Sequence, residues 1–225
     1  MSDLDRRIQQ LERKLVRVTA ARDEAQRLLE TRSLELYEAL KEAEAARDRL
    51  EKIAHTDSLT GLANRRLLET TYEQFAAIHL RKDVPFGLIL LDLDSFKPIN
   101  DNLGHEVGDQ VLIELAQRLS QQTRANDCVA RIGGDEFVVL CTHLARADDL
   151  IPISERIRQC VMTPFRTGGH HSMLSASIGV AVSRSGDTLG QLLRRADLAM
   201  YDSKRNGKNK VTFEREPEYD GAAAV

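Results

Sequence analysis

The chain has 225 residues, enough for one full domain and an extension, and its 32 basic and 35 acidic residues leave a net charge of −3. That balance supplies no basic field for nucleic acid or an anionic membrane, and no apolar run approaches the roughly 18 residues that span a bilayer. Cys128, Cys141 and Cys160 are widely spaced among apolar residues, so they read as reduced core thiols and not as a disulfide frame or zinc site. The start of the chain lacks a charged-then-apolar leader pattern, and the expected location is cytoplasmic.

Residues 1–54 contain no Gly or Pro and carry a strict heptad pattern. Leu4, Leu11, Val18, Ala25, Arg32, Ala39, Ala46 and Ile53 fall at d. Ile8, Leu15, Arg22, Leu29, Leu36, Ala43 and Leu50 fall at a. A 3-4 repeat held this long predicts a left-handed coiled coil. Arg7 at g with Glu12 at the next e, and Glu42 with Arg47, suit a parallel pair. Arg22 and Arg32 interrupt the seam, and a buried arginine fixes register or leaves a place for rearrangement. Leu28, Leu34 and Leu40 lie just off it, within reach of a partner helix. The segment is expected to be a dimerising stalk and a lever, and a regulatory protein on it is a further expectation.

Turn formers from His55 to Arg66 end the heptads, and Thr60 or Asn64 can cap a helix running to about Leu80. Phe86 to Leu93 is a nearly continuous apolar run that predicts a buried central strand. It ends in Asp92 and Asp94, which share one face because strand side chains alternate. Carboxylates at the end of a buried strand are costly to desolvate unless a cation meets them, and a hard divalent ion suits oxygen ligands. Ser95 to His105 reads as a loop whose amide and carboxamide groups can recognise a base edge. From Glu106 to Thr123, apolar residues recur at helical spacing, with Asp109 one turn in.

Cys128 to Ala130 and Phe137 to Leu140 form the arms of a hairpin around Gly133 and Gly134. These glycines are expected to take φ > 0 in a tight reversal and to leave bare amides beside a bound group. Asp135 and Glu136 then occupy successive strand positions and face opposite sides. Ile153 to Val161 and Leu189 to Tyr201 read as helices, and Met173 to Val182 as a strand. A basic, Gly-containing turn from Lys204 to Lys210 follows, and an acidic, then Gly-Ala-rich tail at 215–225 is expected to be disordered. Acids at 92, 135 and 136, possible base readers at 100 and 109, and lysines at 204 and 208 make one plausible site for an anionic nucleotide with metal.

The run Arg131-Ile132-Gly133-Gly134-Asp135-Glu136-Phe137, with Asp92 to Asp101 and Asp57 to Arg66, resembles the GGDEF-family diguanylate cyclases over about residues 55–214. The resemblance implies an α+β, nucleotide-cyclase-like palm, with a central, mostly antiparallel sheet flanked by helices. It also implies condensation of two GTP molecules into cyclic di-GMP, with Mg²⁺ (two per active site, or Mn²⁺) as cofactor. Carried over, Asp92, Glu136 and the Leu93 carbonyl are metal ligands. Asp135 binds metal or deprotonates the ribose 3′-hydroxyl, and whether it or Glu136 is the base stays open. Asn100 and Asp109 read guanine, with His105 lining the pocket between them. Gly133 and Gly134 leave room for the α- and β-phosphates, and Lys204 and Lys208 hold the γ-phosphate, Lys208 replacing a frequent arginine. Arg124 and Asp127 match the family's Arg-x-x-Asp inhibitory site for the product, cyclic di-GMP. Two such domains must meet face to face, which gives a homodimerising stalk its purpose. The rival expectations are a non-catalytic domain that binds cyclic di-GMP or a protein, and a coiled-coil scaffold carrying a passenger domain.

Overall fold

The structure is a computed structural model that describes residues 3–82, 84–167 and 169–214. The expectation for the tail at 215–225 lies outside the described residues. The chain divides into two compact units between Lys52 and Ile53.

The first unit is nearly all of helix α1 (Asp3–His55), 53 residues long, or about 80 Å at 1.5 Å per residue. The absence of Gly and Pro lets it run unbroken, and its apolar seam lies open. Leu11, Leu29, Leu36 and Leu50 are 61% to 71% exposed. Off the seam, Leu28, Leu34 and Leu40 are exposed to a similar degree. A lone helix with this stripe in water forgoes the burial that stabilises most helices. The two seam arginines are held by acids of their own helix, Arg22 by Asp23 at 2.9 Å and Arg32 by Glu35 at 2.8 Å. Such exposed pairs contribute little on their own.

The second unit is built on a five-stranded sheet of order β2-β3-β1-β6-β7. At its centre lies β1 (Gly87–Asp94), paired antiparallel with β3 (Glu136–Cys141) on one side and β6 (Ser175–Val182) on the other. The outer strands are β2 (Cys128–Arg131), antiparallel to β3, and β7 (Val211–Phe213), parallel to β6. A short hairpin of β4 (Phe165–Thr167) and β5 (His170–Ser172), which the sequence pattern left unassigned, stands apart from this sheet.

Alternation along β1 feeds two cores. Ile89, Leu91 and Leu93 pack with α4 (His105–Gln122) and α5 (Leu150–Met162). Leu88 and Leu90 pack with α2 (Arg65–Lys82) and α6 (Leu189–Arg205). Each fully buried Leu or Ile side chain is worth about 1.5–3 kcal/mol, so this sandwich fixes which way β1 faces. On the α6 side the backbones nearly touch: a Cβ on Gly179 would lie 1.9 Å from the Ala196 carbonyl oxygen. Among the described residues no helix is long and apolar enough to cross a membrane.

The stretch from Ser95 to His105 departs from the expected loop. Ser95 turns the chain at φ 60, and Phe96–Leu103 forms helix α3. The polar, turn-forming composition hid two anchors, Phe96 and Ile99, which sink into the core under α4. Pro98 falls in the first turn, where its missing N–H costs nothing. Asn64 caps α2, its Oδ1 accepting from the Leu67 amide at 3.0 Å while its Nδ2 donates to the Ala54 carbonyl.

Candidate active site

The end of β1 and the β2–β3 turn bring acids together on both faces of the sheet. Asp92 lies directly opposite Glu136 in the β1–β3 register. Both belong with Leu90 and Val138 to the face that α6 covers, and there the last turn of α6 delivers Lys204. Its ammonium stands 3.0 Å from Asp92 Oδ1. Burial pushes the Asp92 carboxyl above its ordinary value, Lys204 pulls it back, and the nearby charges of Asp135 and Glu136 push it up again. Asp92 is thus the acid that holds the lysine, with two further acidic charges close by. Among the described residues no three His, Cys, Asp or Glu side chains converge on one point. Two acids paired across neighbouring strands nevertheless suit magnesium, which binds through one or two carboxylates and takes its other ligands from phosphate and water.

Asp135 precedes β3 and turns the other way. With Phe96, Lys97, Asn100, His105, Asp109, Leu112, Arg131 and Gly134 it lines a cavity of about 300 Å³ between the turn, α3 and the start of α4. His105 and Asp109 are four residues apart on α4 and so lie on one helix face. Asn100 reaches the cavity from α3 across Gly108, where a Cβ would come within 1.9 Å of its Oδ1. The site therefore has two compartments divided by the hairpin. Asn100, His105, Asp109, Gly134 and Asp135 line one, while Asp92, Glu136 and Lys204 lie on the other side, where the Asp135 charge still reaches Asp92. Lys208 lies beyond the end of α6 with its side chain exposed.

The turn itself corrects the expected role of its glycines. Neither Gly133 nor Gly134 has a positive φ. At 133 the Glu136 carboxylate folds back to 2.7 Å from where a Cβ would be, so a side chain there would displace it. At 134 nothing lies within 4 Å of that position, which leaves the peptide open to a bound group. The turn is closed by Ile132 N–H donating to the Glu136 carbonyl at 3.1 Å, and Leu93 N–H donates to the Asp135 carbonyl at 3.4 Å. In an extended strand the N–H and C=O of one residue point to the same side, so the Leu93 carbonyl also faces the turn.

A domain model described as "Diguanylate cyclase, GGDEF domain" matches residues 54–210. The chain belongs to the GGDEF-domain family of diguanylate cyclases. It is 39% identical over 186 residues to MucR of Pseudomonas aeruginosa, a protein named bifunctional diguanylate cyclase/cyclic di-GMP phosphodiesterase. That match covers 82% of this chain and 27% of MucR, so the chain spans about a quarter of that relative's length. Among solved structures, the coiled coil and GGDEF domain of DgcB from Caulobacter crescentus, in complex with c-di-GMP, superposes with a TM-score of 0.70. It is 32% identical, over 80% of this chain and 98% of that one. The diguanylate cyclase SiaD of Pseudomonas aeruginosa, solved with its activator SiaC, gives a TM-score of 0.69 at 33% identity. That match covers 93% of this chain and 88% of SiaD.

Within the GGDEF domain, Arg131 and Asp57 brace the turn, a function that spacing alone did not reveal. Arg131 donates from Nε and Nη2 to the Gly134 carbonyl at 3.1 and 2.8 Å, and from Nη1 to Asp57 Oδ1 at 3.0 Å. Asp57 also accepts from the Thr60 amide and hydroxyl. The same segment is stitched to β2, with Ala63 N–H donating to Val129 and Arg131 N–H donating to Ala63. Asp127 of the Arg-x-x-Asp motif accepts from the amides of Arg124 and Thr142, at 2.9 and 3.0 Å. The Arg124 side chain is exposed.

Burial raises the Asp57 carboxyl, but the Thr60 hydrogen bonds and Arg131 outweigh it and hold it below the ordinary 3.8. A depressed acid stabilises the fold above its unfolded value and loses that contribution as pH falls through its folded value. Asp57→Asn is therefore expected to cost about 1–3 kcal/mol at neutral pH. In melting temperatures measured from pH 7 downward, its gap to wild type should close below about pH 4.

Proposed function

We propose that this GGDEF domain condenses two molecules of GTP into cyclic di-GMP, releasing two pyrophosphates, as one half of a homodimer in the cytoplasm. The observation that carries the reading is the division of labour at the hairpin. Facing acids with a lysine lie on one side, and a cavity lined by Asn100 and Asp109 lies on the other.

In this reading Asp109 accepts from guanine N1–H and the 2-amino group, and Asn100 pairs with the rest of the purine edge beside His105. The open backbone at Gly134, with Gly133, lets the α- and β-phosphates approach. Asp92, Glu136 and the Leu93 carbonyl hold magnesium, or manganese in its place, with Asp135 the remaining candidate ligand. When bound, two such ions neutralise the phosphates and draw electrons from the α-phosphorus. Lys204 and Lys208 carry the γ-phosphate, Lys208 as a point charge without a guanidinium's fork.

The 3′-hydroxyl of one GTP passes its proton to Asp135 or Glu136. The oxygen bonds to the α-phosphorus of the other GTP, and pyrophosphate leaves. Repeating the step with the roles exchanged closes the ring. One domain holds one nucleotide, so the two must face each other, and the exposed seam of α1 supplies the means of pairing them. SiaD is solved with an activator, and a regulatory protein docked at Leu28, Leu34 and Leu40 is our reading of the off-seam stripe. Cyclic di-GMP bound at the exposed Arg124, with Asp127 fixing the turn beneath it, would restrain the enzyme by its own product.

Incubating the protein with GTP and Mg²⁺ should yield cyclic di-GMP and pyrophosphate in a 1:2 ratio, and no product from the intact chain would refute the reading. Asp92→Asn should lower turnover by at least about 100-fold. Its melting temperature should stay unchanged or rise, because burial already disfavours the charged form. Deleting residues 1–50 should lower specific activity at nanomolar enzyme and restore it as concentration rises; equal activity at all dilutions would exclude the stalk as the pairing device. Added cyclic di-GMP should slow wild-type turnover noncompetitively with GTP, and Arg124→Ala should remove that inhibition in initial-rate assays.

A further inference from the structure

Asp94 follows Asp92 on the same face of β1, yet its environment is different. It is 6% exposed. Oδ1 accepts from the Ser177 hydroxyl at 2.7 Å, while Oδ2 accepts from the Ser175 hydroxyl at 2.7 Å and the Asn209 amide at 3.0 Å. A carboxylate has about four acceptor positions, and three of these are used by the protein itself.

The Asn209 contact joins the end of β1 to the turn after α6. That helix ends with Gly207 at φ 103 and Lys208 N–H donating to the Ser203 carbonyl at 3.0 Å, the 6→1 bond that closes many helices. Lys208 and Asn209 then stand at φ 61 and φ 47, two successive non-glycine residues in the left-handed region. L-residues enter that region at a cost and stay only where the surroundings hold them. Here Asp94 takes the Asn209 amide, and Arg158 Nη1 donates to Asn209 Oδ1 at 2.7 Å. Glu155 in turn fixes Arg158 through hydrogen bonds of 2.6 and 2.9 Å.

We propose that Asp94 is a positioning residue: with Arg158 it holds the left-handed Lys208–Asn209 turn, and that turn sets where the Lys208 ammonium meets the terminal phosphate of the nucleotide. This rests on the reading of the site as a GTP site. A lysine stem is long and flexible, so a fixed backbone removes much of the freedom that binding would otherwise have to restrict. Because the anchor lies two residues from Asp92, the phosphate-binding cation is held in register with the acid pair.

The test compares binding of 3′-deoxy-GTP, which cannot react, with binding of GDP, which lacks the third phosphate, by calorimetry on the full chain with Mg²⁺. Asp94→Asn and Asn209→Val should each weaken 3′-deoxy-GTP roughly tenfold and leave GDP within about twofold. Asn209→Gly, which tolerates the left-handed φ and keeps the Asp94 bond but loses the Arg158 contact, should weaken 3′-deoxy-GTP less than Asn209→Val does. Asn209→Val lies away from the buried core and keeps the test decisive if Asp94→Asn unfolds. Equal losses for both nucleotides, or an unchanged preference in Asn209→Val, would overturn the proposal. A wild type that does not prefer 3′-deoxy-GTP would overturn this proposal and the GTP reading together.

Discussion

The register of β1 against β3 is the constraint on which the candidate site depends. It sets Asp92 opposite Glu136, and a slip of one residue would turn every side chain of the strand to the other face. The acids would then be driven into the core beneath α4, and Leu91 and Leu93 would face α6. What forbids the slip is the burial of both faces at once. Leu88 and Leu90 are committed to one core, and Ile89, Leu91 and Leu93 to the other. The acid pair is therefore held in place by apolar packing several residues away, and the charges themselves contribute little to their own placement.

The same logic explains the two compartments. Asp135 and Glu136 are neighbours in sequence but emerge on opposite sides of the sheet, one beside α3 and α4 and the other under α6. A hairpin tip thus serves as a partition. Arg131 keeps the partition rigid, since its guanidinium closes on the Gly134 carbonyl and is itself pinned by Asp57.

Much of this was legible in the sequence, and the remainder was hidden for physical reasons. The apolar run before Asp92 could only be a strand buried on both faces, and the heptads could only be a long helix. The acids at 92, 135 and 136 were readable because charge at the end of such a strand is expensive without a purpose. Helix α3 was missed because its buried Phe96 and half-buried Ile99 sit among Ser, Pro and Asn residues that suggest a loop. Gly108 gave no signal at all, since a glycine that makes room for Asn100 looks like any other glycine. Asp94 was readable as an acid but not as an anchor, because the donors that saturate it come from residues 175, 177 and 209. Composition suggested left-handed glycines at 133 and 134, where neither φ is positive and the Glu136 carboxylate occupies the space beside Gly133.

Lys204 resting on Asp92 has a thermodynamic consequence. Any divalent ion that reaches this carboxylate meets an ammonium already 3.0 Å away, so its entry is an exchange of one positive partner for another. An ion arriving alone would strand the displaced lysine among charges of its own sign. An ion arriving on a polyphosphate brings the anion that the lysine then needs, and the two ligands favour one another by linkage. On the proposed reading of the site, the ion–nucleotide complex would therefore bind in preference to a bare cation.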